Sequence, residues 1–205
     1  TSDFLADEVH HVELASRLLM QLGGAAPRSF DASRLAPTTT PGLTPLQRAN
    51  ELVVRIGCVA ETFASETAVP MMRETTHPLV RGVYQTILRD EARHCRLAGL
   101  YFDWAGDRLD QDERRRLGVV AVAALGMYAP LWRSVTPSVP REGAPLVSPA
   151  SGSEWSPAEI HELGWIEPER YVPLARGAVT DAIVPALRAL GLDLPEAELA
   201  ALLAD

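Results

Sequence analysis

Lysine is absent from this chain of 205 residues: the 19 basic side chains are all arginine and stand against 27 Asp and Glu, for a net charge of −8. Nucleic acid needs a concentrated positive face for its phosphates, and here the arginines are scattered. The only run, Arg114-Arg115-Arg116, is read as a solvated helix start. Cysteine is scarce as well. Cys58 and Cys95 are too few for a disulfide framework, which fits a reducing cytoplasm, and no secretory segment is visible at the start. Long apolar runs are also missing. The longest, Leu117 to Trp132, is interrupted by Gly118, Gly126 and Pro130 and falls short of the ~20 residues that span a bilayer. It reads as a central helix packed on all sides or at a subunit contact. Abundant Ala, Gly, Pro and Arg without Lys suggests a GC-rich bacterial genome.

What is present is one pattern written twice: Asp7-Glu8-x-x-His11 and Asp90-Glu91-x-x-His94, with Glu61 between them. Residues three apart on an α-helix project from nearly the same face, so each Glu/His pair offers an oxygen and a nitrogen to one point. Bundles that hold two metal ions use two such helices plus a lone Glu from each of two others. Three of the four are visible here. Only five histidines occur, and two of them share this context, which argues against chance. Charged Glu on an apolar face costs several kcal/mol unless it is paired or bound to metal.

The flanking residues support burial at helical spacing. Tyr84, Ile87, Leu88, His94, Ala98 and Tyr101 form one stripe. Val54, Gly57, Cys58, Ser65 and Ala68 form a second, and Phe4, Leu5, His11, Ala15 and Leu18 a third. Glu13, Glu51, Glu74, Arg17, Arg55, Arg73 and Arg96 flank these stripes and read as surface. A ligating His donates its second ring N–H to a carboxylate or carbonyl, a task assigned to Asp7 and Asp90, with Asp7 paired to His94 and Asp90 to His11. Cys58, Tyr84 and Tyr101 are candidates to line a pocket beside the metals, with core packing as their alternative.

Local signals give the organisation. Helix one runs from about Ser2 to Leu22 and stops at Gly23-Gly24. A crossover spans Ala25 to Leu43. Thr44, with Pro45 and Gln47, forms a capping box on a helix reaching Arg73, with a bend at Pro70. His77-Pro78 breaks it, and the Glu91 helix follows to about Trp104. Asp110 and Glu113 open the apolar helix. Ser134 to Ser156 is a Pro/Ser/Gly-rich loop. Ser156-Pro157-x-Glu159 starts a short helix closed by Gly164, and a helix over Glu169–Leu190 is interrupted at Pro173 and Pro185. The tail helices brace the bundle or form a homodimer contact. One domain is expected over 1–205: a bundle core over 1–133, the loop over 134–156 and C-terminal helices over 157–205.

The stretch Cys58-Val59-Ala60-Glu61-Thr62, the His77-Pro78 break and Arg89-Asp90-Glu91-Ala92-Arg93-His94 resemble bacterial ferritin-like proteins. The gaps of 53 residues from Glu8 to Glu61 and 30 from Glu61 to Glu91 are similar to those of di-iron aldehyde-deformylating oxygenases and arylamine N-oxygenases. The resemblance covers Thr1 to Trp104. It implies an all-α, ferritin-like helical bundle whose metal ligands are Glu8, His11, Glu61, Glu91 and His94, with two iron ions as cofactor; Mn/Fe and Mn/Mn pairs take the same ligands. N-oxygenases of this type have a further ligating His where this chain has Ile87, which sets their chemistry behind other oxidations. The family's fourth carboxylate comes from a helix upstream of Glu8. That helix is expected in a longer protein, with Glu159 and Glu162 as remote stand-ins. The function implied is an oxygenase that uses O2 on a small organic substrate, with Glu8, Glu61 and Glu91 as catalytic ligands. An iron-handling or peroxide-scavenging protein and a metal-stabilised scaffold are the alternatives.

Overall fold

The computed structural model describes residues 2–23, 38–133, 146–147 and 154–204. Of the crossover expected over Ala25–Leu43 only residues 38–43 are therefore described, and of the loop over 134–156 only 146–147 and 154–156. The described chain is helical apart from a ladder pairing Leu146–Val147 with Glu154–Trp155. Its helices are α1 (Ser2–Gln21), α2 (Pro45–Leu52), α3 (Glu61–Glu74), α4 (Pro78–Ala105), α5 (Gln111–Gly126), α6 (Pro130–Arg133), α7 (Pro157–Glu162), α8 (Pro168–Gly177), α9 (Val184–Ala189) and α10 (Glu196–Leu203). Two stretches of π-helix, Val53–Ala60 and Ala178–Ile183, join α2 to α3 and α8 to α9.

Where the sequence specifies an end locally, the end forms. Thr44 accepts from the Gln47 N–H and Gln47 answers it, closing a capping box with Pro45 in the first turn. Ser156 and Glu159 do the same for α7, so Glu159 is a capping residue, not a stand-in ligand. Asp110 accepts from the Glu113 N–H at 2.8 Å, and His77 caps α4 by accepting from the Val80 N–H at 3.4 Å.

The described residues group into two compact units, each assembled from three separate stretches. The first takes in α1, the end of α3, the start of α4 and α7. Its turn before α4 is fixed by one carbonyl, Glu162 O, which accepts from Thr76 N at 3.1 Å, His77 N at 3.0 Å and Thr75 Oγ1 at 2.5 Å. Gly164 closes α7 at φ +88°, and a Cβ there would lie 2.6 Å from Met71 O, so only glycine fits. On α1, His11 is buried, whereas Leu5 and Ala15 of the expected stripe are exposed, as are Val9, Val12, Leu19 and Met20. The apolar spacing there does not mark a buried face.

The second unit holds the main core, in which Val54, Val59, Phe63, Phe102, Leu117, Leu125, Val179, Ile183 and Leu187 pack together. Gly57 permits close approach of α4, since a Cβ would sit 2.9 Å from Ala98 Cβ. Gly118 abuts the backbone before α10, where a Cβ would meet Asp193 O at 1.8 Å. Two surface readings are overturned here. Glu51 is fully buried because Arg116, from the supposed solvated run, reaches it at 2.7 Å and Glu113 at 2.8 Å, while Arg55 holds its other oxygen at 3.0 Å. Asn50 extends the network, donating to Glu113 at 2.8 Å and accepting from Tyr101 at 2.7 Å. The apolar α5 helix is also not packed all round: Val119 and Met127 are exposed. Among the described residues no helix is long and apolar enough to cross a membrane.

Candidate metal centre

In the second unit Glu61 opens α3, and Glu91 and His94 lie one turn apart on α4. All three are buried. Each offers one donor atom within 4.8 Å of the others. His94 Nδ1 lies 3.3 Å from Glu61 Oε2 and 3.5 Å from Glu91 Oε2. Donor atoms bound to one ion at about 2.0–2.2 Å and at inter-ligand angles near 90–110° sit roughly 3.0–3.5 Å apart. The spacing therefore suits a shared cation, and the donor set of carboxylate oxygen and imidazole nitrogen suits iron or manganese. Two carboxylates in a mostly apolar surround carry a desolvation cost of several kcal/mol per ion that a bound cation offsets.

The first unit contains the other copy of the motif. His11 Nδ1 lies 3.5 Å from Glu8 Oε1, and its Nε2 lies 3.3 Å from Asp90 Oδ2. His11 and Asp90 are both buried. The ring thus faces a different carboxylate with each nitrogen. Asp7 is half-buried on α1.

The three pocket candidates have separate surroundings. Tyr84 is half-buried and its hydroxyl contacts Met71 Sδ at 3.5 Å. Tyr101 gives its hydroxyl to Asn50. Burial, aided by the charge of a nearby Cys95 thiolate, pushes the Cys58 thiol up to about 12. Cys95 is also raised, first by burial and then by the charges of Glu61 and Glu91, against a hydrogen bond from Thr62. Thiolate is the reactive form, so a charged alkylating reagent at pH 8 is expected to leave Cys58 unmodified in the folded protein and to label both cysteines in denaturant. Labelling of Cys58 at equal rates in both states, read by peptide mass spectrometry, would contradict that burial.

Two features escaped the sequence reading. One is the π-helix over Val53–Ala60, which delivers Glu61 directly from its last residue. The other is Tyr128, whose hydroxyl is raised by burial and then by the charge of Glu61. Its ring stacks on Phe63 with centroids 4.6 Å apart. A single tyrosine in an apolar run was the only signal for it.

Comparison with curated proteins and with solved structures finds no match to this chain. The sequence model of the family described as p-aminobenzoate N-oxygenase AurF matches residues 2–140, about two thirds of the chain, and reaches beyond the Thr1–Trp104 stretch that carried the resemblance. The match falls on the N-oxygenase side of that resemblance even though position 87 is isoleucine. That departure set N-oxygenase chemistry behind other oxidations; the match shows kinship with the N-oxygenases at family level. The chain belongs to the AurF family of di-iron, ferritin-like, O2-dependent oxygenases that act on organic substrates.

Proposed function

We propose that Glu8 and His11 join Glu61, Glu91 and His94 to hold two iron ions, and that the protein oxygenates a small organic molecule, with an amine nitrogen as the first candidate given the family's name. The observation that carries this reading is His94 Nδ1 facing two buried carboxylates at ligand-to-ligand spacing. Iron bound there supplies the electrons for dioxygen reduction. The chain's own part is to present the donors in the right protonation state. His11 turns Nδ1 to Glu8 and Nε2 to Asp90, so the ring proton sits on Nε2, donated to Asp90, and the Nδ1 lone pair is left for metal. His94 presents Nδ1 in the same way, and Asp7 is assigned to hold its Nε2 proton. Burial of His11, Glu61, Asp90, Glu91 and His94 keeps bulk water away from them, whereas Glu8 is half-buried.

Metal analysis combined with oxygen uptake tests the proposal. Ferrous-loaded protein is expected to bind two irons per chain and to consume O2 faster when an arylamine is added. Full uptake without any organic substrate would favour iron handling, and a chain that binds no metal would remove the proposal. Manganese, offered in competition with iron, is expected to occupy the same ligands without supporting uptake.

A further inference from the structure

We infer that the solvent face of α4 is the docking surface for an acidic one-electron carrier protein of the ferredoxin kind, which supplies the electrons the oxygenation consumes; this rests on the oxygenase reading above. One oxygen atom of O2 enters a substrate X–H bond to give X–OH, the other leaves as water, and the balance takes in two electrons and two protons. A ferredoxin gives one electron at a time from its iron–sulfur cluster. Two carriers are therefore oxidised per turnover, the protons come from solvent, and no bond forms between carrier and chain.

Helix α4 has two faces. In the second unit its Glu91, His94, Ala98, Phe102 and Ala105 are buried, whereas Arg93, Arg96, Leu97, Leu100 and Trp104 are exposed. Steps of three and four residues put the exposed set on one strip of the helix, roughly 16 Å long from Arg93 to Trp104. Leu97, Leu100 and Trp104 are 40, 53 and 54% exposed. Past the helix end Arg108 folds back, with its guanidinium 4.6 Å from the centroid of the Trp104 ring and a hydrogen bond to the Trp104 carbonyl. The Tyr101 ring flanks the same indole at 5.7 Å. Apolar surface rimmed by polar groups marks a protein contact, and Trp and Arg carry much of the binding energy at such contacts.

Charge selects the partner. Among the exposed residues from Glu91 to Arg108, Arg93, Arg96 and Arg108 stand against Asp103 and Asp107, three against two, which leaves +1 in a chain whose net charge is −8. An acidic carrier is repelled by the chain as a whole and finds its favourable approach here. Position suits the chemistry as well. The strip lies on the helix that presents Glu91 and His94, so only one helix width, ~10–12 Å, separates the docking surface from these donors. Redox encounters of this kind bury less than about 1,200 Å² in total, and a small surface lets the spent carrier leave.

The test titrates the iron-loaded protein by calorimetry with a plant-type [2Fe–2S] ferredoxin, which is acidic, and with cytochrome c, which is basic. Ferredoxin is expected to bind, and Arg96→Glu to weaken it at least tenfold without weakening cytochrome c. Trp104→Ala is expected to cost about thirtyfold, the scale of a hot-spot truncation, with helix content unchanged. Reduction of the bound ferric iron by reduced ferredoxin is expected to slow in both variants, while reduction by dithionite, which needs no docking, keeps its rate. Four results would each overturn the inference. They are no ferredoxin binding, binding unchanged in both variants, equal slowing with dithionite, and self-association of the unaltered protein that Trp104→Ala abolishes, which assigns the face to a second copy. Docking and oxygenation fail separately. Oxygen uptake by ferrous-loaded protein that ignores ferredoxin refutes the docking alone, and variant-sensitive ferredoxin binding without oxygen uptake refutes the oxygenase alone.

Discussion

Glu91→Ala is expected to strip the protein of bound iron and abolish O2 uptake while leaving its helices intact. Glu91 is buried, shares His94 Nδ1 with Glu61, and stands on α4 where no other carboxylate can take its place within a turn on the same face. Residues that merely orient ligands are worth about 10–100-fold in metal affinity, so removal of a proposed ligand itself should exceed a hundredfold. Metal content after reconstitution, measured beside circular dichroism, checks this. Asp90→Asn provides the graded comparison. It retains the shape but weakens the acceptor for the His11 Nε2 proton, and affinity is expected to drop by about 10–100-fold. An alanine variant that keeps both irons would show that Glu91 is not a ligand.

Arg116→Met should produce the largest loss of stability among single charge changes in the second unit. Arg116 holds Glu51, which is fully buried, and Glu113, at 2.7 and 2.8 Å. Without it the two carboxylates are left with Arg55, Thr40, Asn50 and Gln47, only one of which carries a charge. Breaking a buried pair from one side costs about 3–5 kcal/mol, a fall in Tm on the order of 10 °C for a chain of this size. The effect must depend on pH in a definite direction. Arg116 is the leading cause that holds Glu113 below the ordinary carboxylate range; for Glu51 burial pushes upward and is outweighed by hydrogen bonds from Arg116, Thr40 and Arg55. Groups with depressed folded values stabilise above the unfolded value and lose that contribution as pH falls through the folded one. The gap in Tm between the two proteins is therefore expected to be full at pH 7 and to shrink below about pH 4, near the reference carboxylate value. A gap that is constant across that range would mean that packing of the arginine stem, not its charge, does the stabilising.

The sequence declared what is encoded within a turn or two. Thr44 with Gln47, Ser156 with Glu159, and Gly164 each carry their own geometry, because a cap is satisfied by residues three positions away. The paired Glu-x-x-His motifs were legible for the same reason. Glu51 and Arg116 were not: each alone is a flanking charge, and only the tertiary meeting of α2 and α5 makes a buried pair. The same limit misread Leu5 and Ala15, whose spacing fits a core stripe although His11 alone is buried among the described residues of α1, and it hid the exposure of Val119 and Met127 inside an apolar run. Position 87 illustrates a different limit. Isoleucine in place of a ligating His set N-oxygenase chemistry behind other oxidations, yet the family's sequence model matches residues 2–140 all the same.

The widened coil between Leu52 and Glu61 makes the aim of a carboxylate depend on a residue count. Eight residues wound at π pitch set how far round the axis Glu61 emerges relative to α2, whose own orientation is pinned by Asn50 and Glu51. A residue added or removed there at unchanged winding would swing Glu61 round the axis by roughly a quarter of a turn, away from His94. Length, in this octad, acts as an address.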